Sequence, residues 1–323
     1  MFCSIIIPYK NSSMTIKNCI ESTIKQNFDN KNYEVILISD FSDKKTDRIV
    51  KKIIRKNKNC RLIYSKKKTI GPGHARNLGI LSSKGDYLYF LDSDDYLKKS
   101  TLKILHMLTL KKKPDLICNN FKIIDKSKKF KTQKRYDLHL LRKKNSFIKN
   151  YFNLSIIGQV ISNLFKKNII IKNKILFKEG FFEDILFFFK AFYYSKNKIF
   201  LEKILYVKIA TKKSIVNSIT FNHLKDGIKA YYQIYQFLLT KKNNIKINTL
   251  KNFCMIALVG QFAVLLKRIK TYNISNIEKI RLESKIRLIF LYYKNKINIV
   301  YQYKTKKDVF VSKFLSGFKK KRI

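Results

Sequence analysis

Acidic residues are scarce in this sequence. Only 21 of its 323 residues are Asp or Glu, against 70 Lys and Arg, for a formal net charge of +49. Proline is scarcer still: three residues, the last at Pro114, so the second half has none of the usual helix breakers. The five cysteines, Cys3, Cys19, Cys60, Cys118 and Cys254, are widely spaced with no CxxC pair. That spacing excludes a cysteine-rich zinc site or disulfide framework and fits a reducing cytosol. Long hydrophobic runs are missing too. The most apolar stretch, Phe253 to Leu266, falls short of the ~20 residues that span a bilayer. The N-terminus lacks a basic segment followed by an apolar one, so no secretion signal is expected. No RNP-type or zinc-finger signature accompanies the charge.

What is present is enough for a folded core. The chain is 46% hydrophobic, with 25 Phe and 19 Tyr, which suits one large domain or two ordinary ones and argues against disorder. Lys, Asn, Ile, Phe and Tyr are inflated together, and the lysines are spread in short runs rather than gathered in one arm. Compositional bias with a solvated basic face accounts for that pattern. Attraction to an anionic membrane and phosphate contacts to nucleic acid are the competing readings.

The chain begins as alternating strands and helices. FCSIIIP, residues 2–8, is a continuous apolar run of the kind found in buried parallel strands. A helix is predicted over 14–28, with Ser12 or Ser13 as N-cap. A second strand follows at 33–39, ending at Asp40, then a helix over 46–56 and a third strand at 61–64. A glycine turn leads into a short helix carrying Arg76 and Asn77, and a fourth strand spans 87–91. Beyond it come a helix over 100–111 and a strand over 115–124. This alternation predicts a doubly wound α/β sheet, whose ligands bind beyond the carboxyl ends of the strands. Residues 151–165 and 175–177 are expected to build the far side of that site, and an aromatic helix is predicted over 185–194. From about residue 221 the chain reads as amphipathic helices over 224–239, 249–270 and 277–293, closing in a basic tail at 319–322.

Against so few acids, Asp92, Asp94 and Asp95 fall within four positions, directly after a buried strand. Clustered carboxylates need a positive partner. Lys98 and Lys99 can supply one on a solvated surface; a divalent metal does so better. Glu179, Glu183 and Asp184 form a second concentration at the start of the aromatic helix, and two of them sit in its first turn, where the helix dipole favours them.

In order and spacing these segments resemble family 2 glycosyltransferases, inverting nucleotide-sugar enzymes of GT-A fold. The matching segments are IIIPYKN, Ser39-Asp40-Phe41-Ser42, Gly73 to Gly79, Gly85 to Asp95, and Glu183-Asp184. The resemblance covers roughly residues 2–220 and not the helices after them. It implies an α/β GT-A (Rossmann-like) catalytic domain over 1–220 and a helical, lysine-rich region over 221–323 that contacts acceptor, membrane or a second subunit. It also implies a UDP-sugar donor, with Pro8, Tyr9, Asp40, Arg76, Asp92 and Ser93 holding the nucleotide sugar. Asp94 and Asp92 would hold Mn2+ or Mg2+, and Asp184 or Glu183 would act as catalytic base. Ser39 and Phe41 depart from the family's Asp-Asp-Gly pattern, which loosens the assignment of the nucleobase that Pro8, Tyr9 and Asp40 would hold. The bottom-up alternative for Arg76 is an ion pair with the acidic cluster. Tyr206-Val207-Lys208 and Asn217 to Thr220 match the family's diphosphate loop only loosely, and His223 is a weaker candidate again.

The expected acceptor is a growing surface glycan of capsule or lipooligosaccharide type, or a lipid-linked glycan. The expected location is cytoplasmic, with peripheral contact at the anionic inner face of the membrane and no specific nucleic acid. Two rivals remain: a sugar-phosphate nucleotidyltransferase, whose glycine-rich, basic signature near the first strand is missing, and a basic nucleic-acid-binding protein.

Overall fold

A computed structural model describes residues 1–124, 130–133, 159–210, 220–242 and 245–296. The chain divides into two compact units, one holding residues 1–142 and 157–217, the other 143–156 and 218–323.

The first unit is built on a nine-stranded sheet. Strand β1 (Cys3–Tyr9) is buried at every position, as is β2 (Tyr33–Ser39). Apolar side chains on both faces fit strands covered by helices on both sides. Strands β3 (Cys60–Tyr64) and β4 (Tyr87–Phe90) extend a parallel order β3-β2-β1-β4. The chain leaves β1 to one side for β2 and β3, then returns to the other side for β4. The switch point therefore lies between β1 and β4, where an open α/β sheet forms its ligand crevice.

Helix α1 (Ile16–Ile24) turns Ile16, Cys19, Ile20 and Thr23 inward. Its N-cap is Thr15, with no side-chain bond, rather than Ser12 or Ser13. The Ser12 carbonyl instead accepts from the Thr15 and Ile16 amides, and its hydroxyl turns to Ser93 at 2.8 Å. Helix α2 (Lys44–Ile54) is capped by the Asp43 carboxylate on the Thr46 amide. Helix α3 (Gly73–Ser82) lies close against the sheet because residue 79 has no side chain. A Cβ there would sit 2.4 Å from a methyl of Ile6 and 3.2 Å from one of Ile38.

Beyond β4 the sheet departs from the all-parallel expectation. Two-residue β5 (Tyr96–Leu97) precedes helix α4 (Thr101–Lys112). Strands β6 (Leu116–Ile124), β7 (Phe130–Gln133), β8 (Asn163–Lys166) and β9 (Lys198–Ile209) complete a mixed half. β8 runs antiparallel to both β4 and β6; β9 runs parallel to β6 and antiparallel to β5. β9 escapes a sequence reading because its burial follows no clean alternation, and its pairing with β6 shifts register at Asn119 and Asn120.

Short helix α5 (Lys167–Lys172) and helix α6 (Glu183–Tyr194) close the unit. Phe177 stacks on Phe187 at 4.0 Å, with Phe90 edge-on to both at 5.4 and 5.6 Å. Those rings fix the start of α6 to the end of β4, at about 1 kcal/mol per aromatic pair beyond the area they bury. Of the far-side segments, Ile175 and Phe177 are buried as expected. Residues 151–158 lie outside the described residues, as do 211–219, which include most of the loosely matched Asn217 to Thr220, and the tail at 319–322.

The second unit, taken by itself, holds helices α7 (Phe221–Leu239), α8 (Ile245–Thr271) and α9 (Asn276–Asn295). Thr220 caps α7 through the His223 amide. His223 is itself 2% exposed, and burial, then Arg268, hold its imidazole down to about 4, so it stays neutral at physiological pH. No described helix is long and apolar enough to cross a membrane.

Gly79→Ala is expected to lower stability by about 1–3 kcal/mol through overpacking against Ile6 and Ile38. Gly260→Ala in α8, where nothing lies within 4 Å of the new methyl, is expected to be neutral or stabilising by up to ~1 kcal/mol. Urea unfolding followed by circular dichroism compares the two. Equal midpoints would mean that α3 does not rest on the sheet as described.

Candidate active site

The site collects at the carboxyl ends of β1, β2 and β4 and at the start of α6. Arg76 holds it together. It is 5% exposed, and one guanidinium nitrogen donates to Asp92 at 2.8 Å while another donates to Glu183 at 2.5 Å. Its plane also lies 5.4 Å from the Phe177 ring. Asp92 ends β4 and Glu183 opens α6, so a single side chain from α3 joins both acidic clusters. The ion pair weighed as the alternative for Arg76 is present. Lys98 and Lys99, the surface alternative, are exposed and have no acidic partner within 4 Å among the described residues.

Asn77, next in sequence, exchanges two hydrogen bonds of 2.9 Å with the backbone of Phe177, as a strand neighbour would. The glycine turn completes the contact. A Cβ on Gly71 would lie 2.5 Å from the Gly180 carbonyl, and one on Gly73 would lie 2.9 Å from that of Lys178. Phe182, before Glu183, adopts a left-handed conformation with φ 59°. Such strain in a bulky residue is held by its surroundings and gathers at functional positions. These contacts tie the two acidic segments rigidly.

Asp92, Asp94 and Asp95 each offer an oxygen within 4.8 Å of the others. The three differ in what they already bind. Asp95 is 2% exposed, accepting from the Tyr206 hydroxyl at 2.5 Å and the Ile209 amide at 2.8 Å. It anchors β9 to the end of β4, and burial, then Asp92 and Asp94, push its carboxyl up to about 8. The Tyr206 hydroxyl also accepts from the Asp92 amide at 3.3 Å. Burial and the Asp92 charge raise Asp94 above the ordinary carboxylate range. A cluster of hard oxygen donors whose mutual repulsion Arg76 and Lys208 offset only in part suits Mg2+ or Mn2+. The residues fit such an ion, which Asp94 and Asp92 would hold, Asp95 being already engaged by Tyr206 and the Ile209 amide.

At the start of α6, burial raises Glu183 despite its Arg76 partner. Asp184 is partly exposed, and burial, then the Glu183 charge, push it up to about 7. Lys208 on β9 lowers Asp94, Asp95 and Asp184 together, which makes it the other positive charge of the site.

The remaining candidates sit around the crevice mouth. Pro8 and Tyr9 are buried at the end of β1, and the Tyr9 hydroxyl donates to Asp47 at 2.8 Å, so that ring is part of the wall. Asp40 follows β2 and is 7% exposed; one of its buried oxygens has no hydrogen-bond partner among the described residues. Burial raises its carboxyl against the pull of Lys10 and His74. Phe41 takes a left-handed φ of 53°, which explains the glycine common at this position in the family's pattern. Ser93 meets Ser12. Three participants escaped the sequence reading. Asp47 lacked any motif, Tyr206 was noticed only within a loose match, and the service of Asp95 to β9 depends on a strand that went unpredicted.

A switch-point crevice with a cluster of acids at the end of a strand and a second acid on an adjoining helix is the arrangement of the GT-A nucleotide-sugar fold. Across 94% of both chains, the structure superimposes with a TM-score of 0.68 on Staphylococcus aureus TarS 1-349 in complex with UDP-GlcNAc, at 18% identity. The chain belongs to glycosyl transferase family 2, whose model matches residues 4–177. By sequence it is 36% identical over 100 residues to the S. aureus poly(ribitol-phosphate) beta-N-acetylglucosaminyltransferase TarS, a match covering 31% of this chain and 17% of that one. It is 26% identical over 230 residues to the cholesterol galactosyltransferase of Borreliella burgdorferi, covering 68% and 63%.

Arg76→Met leaves Glu183 buried without its counter-charge and is expected to cost about 3–5 kcal/mol. Arg76→Lys, which keeps the charge but cannot fork to two carboxylates, is expected to fall between. The Arg76→Met deficit should shrink as pH falls, because Glu183, already raised by burial, sheds its unpaired charge as it takes up a proton. Denaturant midpoints at pH 5 and pH 8 test this; a deficit independent of pH would disprove the pairing as its origin.

Proposed function

We propose that the chain transfers a sugar from a UDP-sugar to a hydroxyl of a growing surface glycan, with inversion at the anomeric carbon, residues 1–220 forming the catalytic domain. The observation that carries this reading is the Arg76 bridge, which holds the Asp92 cluster and the Glu183-Asp184 pair around one crevice. A single displacement needs a charge-neutralising centre for the leaving group on one side and a base for the incoming hydroxyl on the other.

Asp184 is the base in this reading. Its neighbour Glu183 is engaged by Arg76 at 2.5 Å, and a carboxyl at about 7 is well matched to proton removal near neutrality. As Asp184 takes the acceptor hydroxyl proton, that oxygen bonds to the anomeric carbon. The bond from carbon to the diphosphate oxygen breaks, and its electron pair departs with the nucleoside diphosphate. Asp94 and Asp92 would hold a divalent cation, which when bound supplies Lewis-acid charge to the diphosphate. Arg76, whose buried Nε has no hydrogen-bond partner among the described residues, and Lys208 are the chain's own cations near that charge. The unpartnered oxygen of Asp40 suits a ring N–H of the base, and the exposed ring of Phe41 follows it.

UDP is favoured because the TarS structure superimposed above carries UDP-GlcNAc. The relatives' names differ in both sugar and acceptor, so capsule, lipooligosaccharide or another surface polymer is proposed as a class. The missing basic glycine-rich signature and the family membership both weigh against the nucleotidyltransferase reading.

Asp184→Asn is expected to keep UDP binding and lose transfer by about 100-fold or more. In the wild type, kcat/KM should rise with pH through about 7 and level off above it, since the base must be ionised. A pH profile in which Asp184→Asn keeps the acidic limb would move the role to another group. Asp94→Asn is expected to abolish stimulation by Mn2+ in a donor-hydrolysis assay across a panel of nucleotide sugars. Undiminished stimulation would remove Asp94 from the metal site.

A further inference from the structure

Helix α9 has two apolar faces, and only one of them is accounted for by packing. Leu282, Ile286 and Phe290 follow at intervals of four and are buried, Phe290 stacking on Phe262 of α8 at 4.2 Å. A helix of 3.6 residues per turn places Ile277, Ile280, Leu288 and Tyr292 on the opposite side. These are 81%, 67%, 59% and 54% exposed. Leaving such residues in water along four turns serves no internal packing.

The charges of α9 flank this outward stripe. Residues 276–296 contain six basic side chains against Glu278 and Glu283, and Glu283 is paired with Arg287 at 3.8 Å. On the helical wheel Arg281 lies within the stripe, between Leu288 and Tyr292; Lys285 and Lys296, with Glu278, border it on one side, and Arg287 and Lys294 on the other. The Lys296 ammonium sits 4.4 Å from the centroid of the Tyr292 ring at the end of the stripe. An apolar band edged by long basic side chains and closed by a Tyr–Lys pair is what a helix lying in a membrane interface presents. Aliphatic side chains enter the acyl boundary while lysine and arginine stay at the headgroups. Because no described helix can span a bilayer, contact would be from one side only.

We propose that the outward face of α9, defined by Ile277, Ile280, Leu288 and Tyr292, is a docking surface for an anionic lipid bilayer. The excess of basic over acidic residues on the helix selects the partner: a polyanionic sheet with an apolar interior matches both the charge and the band. A second copy of this chain would bring the same positive charge to the interface and is disfavoured. The proposal does not depend on the transfer chemistry, since its test measures partitioning alone.

The full-length protein is sedimented with phosphatidylglycerol vesicles and with phosphatidylcholine vesicles at 0.1 M and 0.5 M salt. At 0.1 M the net charge draws the whole chain to phosphatidylglycerol; at 0.5 M that attraction is screened, and the residue of binding reports insertion. Binding to phosphatidylglycerol is expected to persist at 0.5 M salt and to fall at least about tenfold in Ile280→Ser/Leu288→Ser. Lys111→Glu/Lys112→Glu, on α4 of the first unit, changes charge without touching α9 and should leave the salt-resistant part unchanged. Equal salt-resistant binding by the Ile280→Ser/Leu288→Ser variant would overturn the proposal. So would a dimer in sedimentation velocity that the same variant dissociates, which would assign the face to a second copy. Because Ile280 and Leu288 lie on an exposed face, an unchanged melting temperature verifies that the variant is folded.

Discussion

The structure depends on one buried guanidinium. Arg76 lies between Asp92 and Glu183, two acids that are 16 and 107 residues away from it in sequence. Taking three charged groups out of water is costly, and only close, well-oriented pairing offsets the loss of hydration. The protein meets that condition by rigidity. Gly79 lets α3 settle on Ile6 and Ile38, Asn77 hydrogen-bonds to the backbone of Phe177, and the Phe90–Phe177–Phe187 stack fixes α6 behind it. Each constraint narrows where the guanidinium and its partners can sit.

That placement sets the chemistry of the neighbouring carboxyls. Glu183 is engaged by Arg76, and its charge joins burial in pushing Asp184 toward neutrality. Asp94 and Asp95 share a second pocket of repulsion, but Tyr206 and the Ile209 amide draw Asp95 into the sheet. Neighbouring acids thus acquire different roles from their surroundings, as environment-shifted carboxyl pairs generally do. Asp95 in one cluster and Glu183 in the other are engaged by the fold itself.

Much of this was legible in residue order. The buried runs 2–8 and 33–39, the glycine turn and the acidic segment fall into strands and a helix because local patterning and tertiary packing agree there. The GT-A architecture and family 2 membership follow from the same segments. The second half of the sheet resisted reading for a physical reason. β8 and β9 are short or irregularly buried strands whose partners are non-local, so periodicity carries little of their signal. Tyr206 and Asp47 likewise look unremarkable until folding brings Asp95 and Tyr9 to them.

The stretch from Gly71 to Tyr96 shows where each kind of information ends. By itself the sequence determined that a carboxylate cluster follows a buried strand and requires positive compensation, because like charges at that spacing cannot be left unpaired. It also determined which residue types were available to supply it. Only the tertiary structure decided that Arg76 rather than Lys98 or Lys99 does so, and that Asp95 belongs to β9. The reason is that ion pairing acts over a few ångströms, and those distances arise from strand order and helix packing.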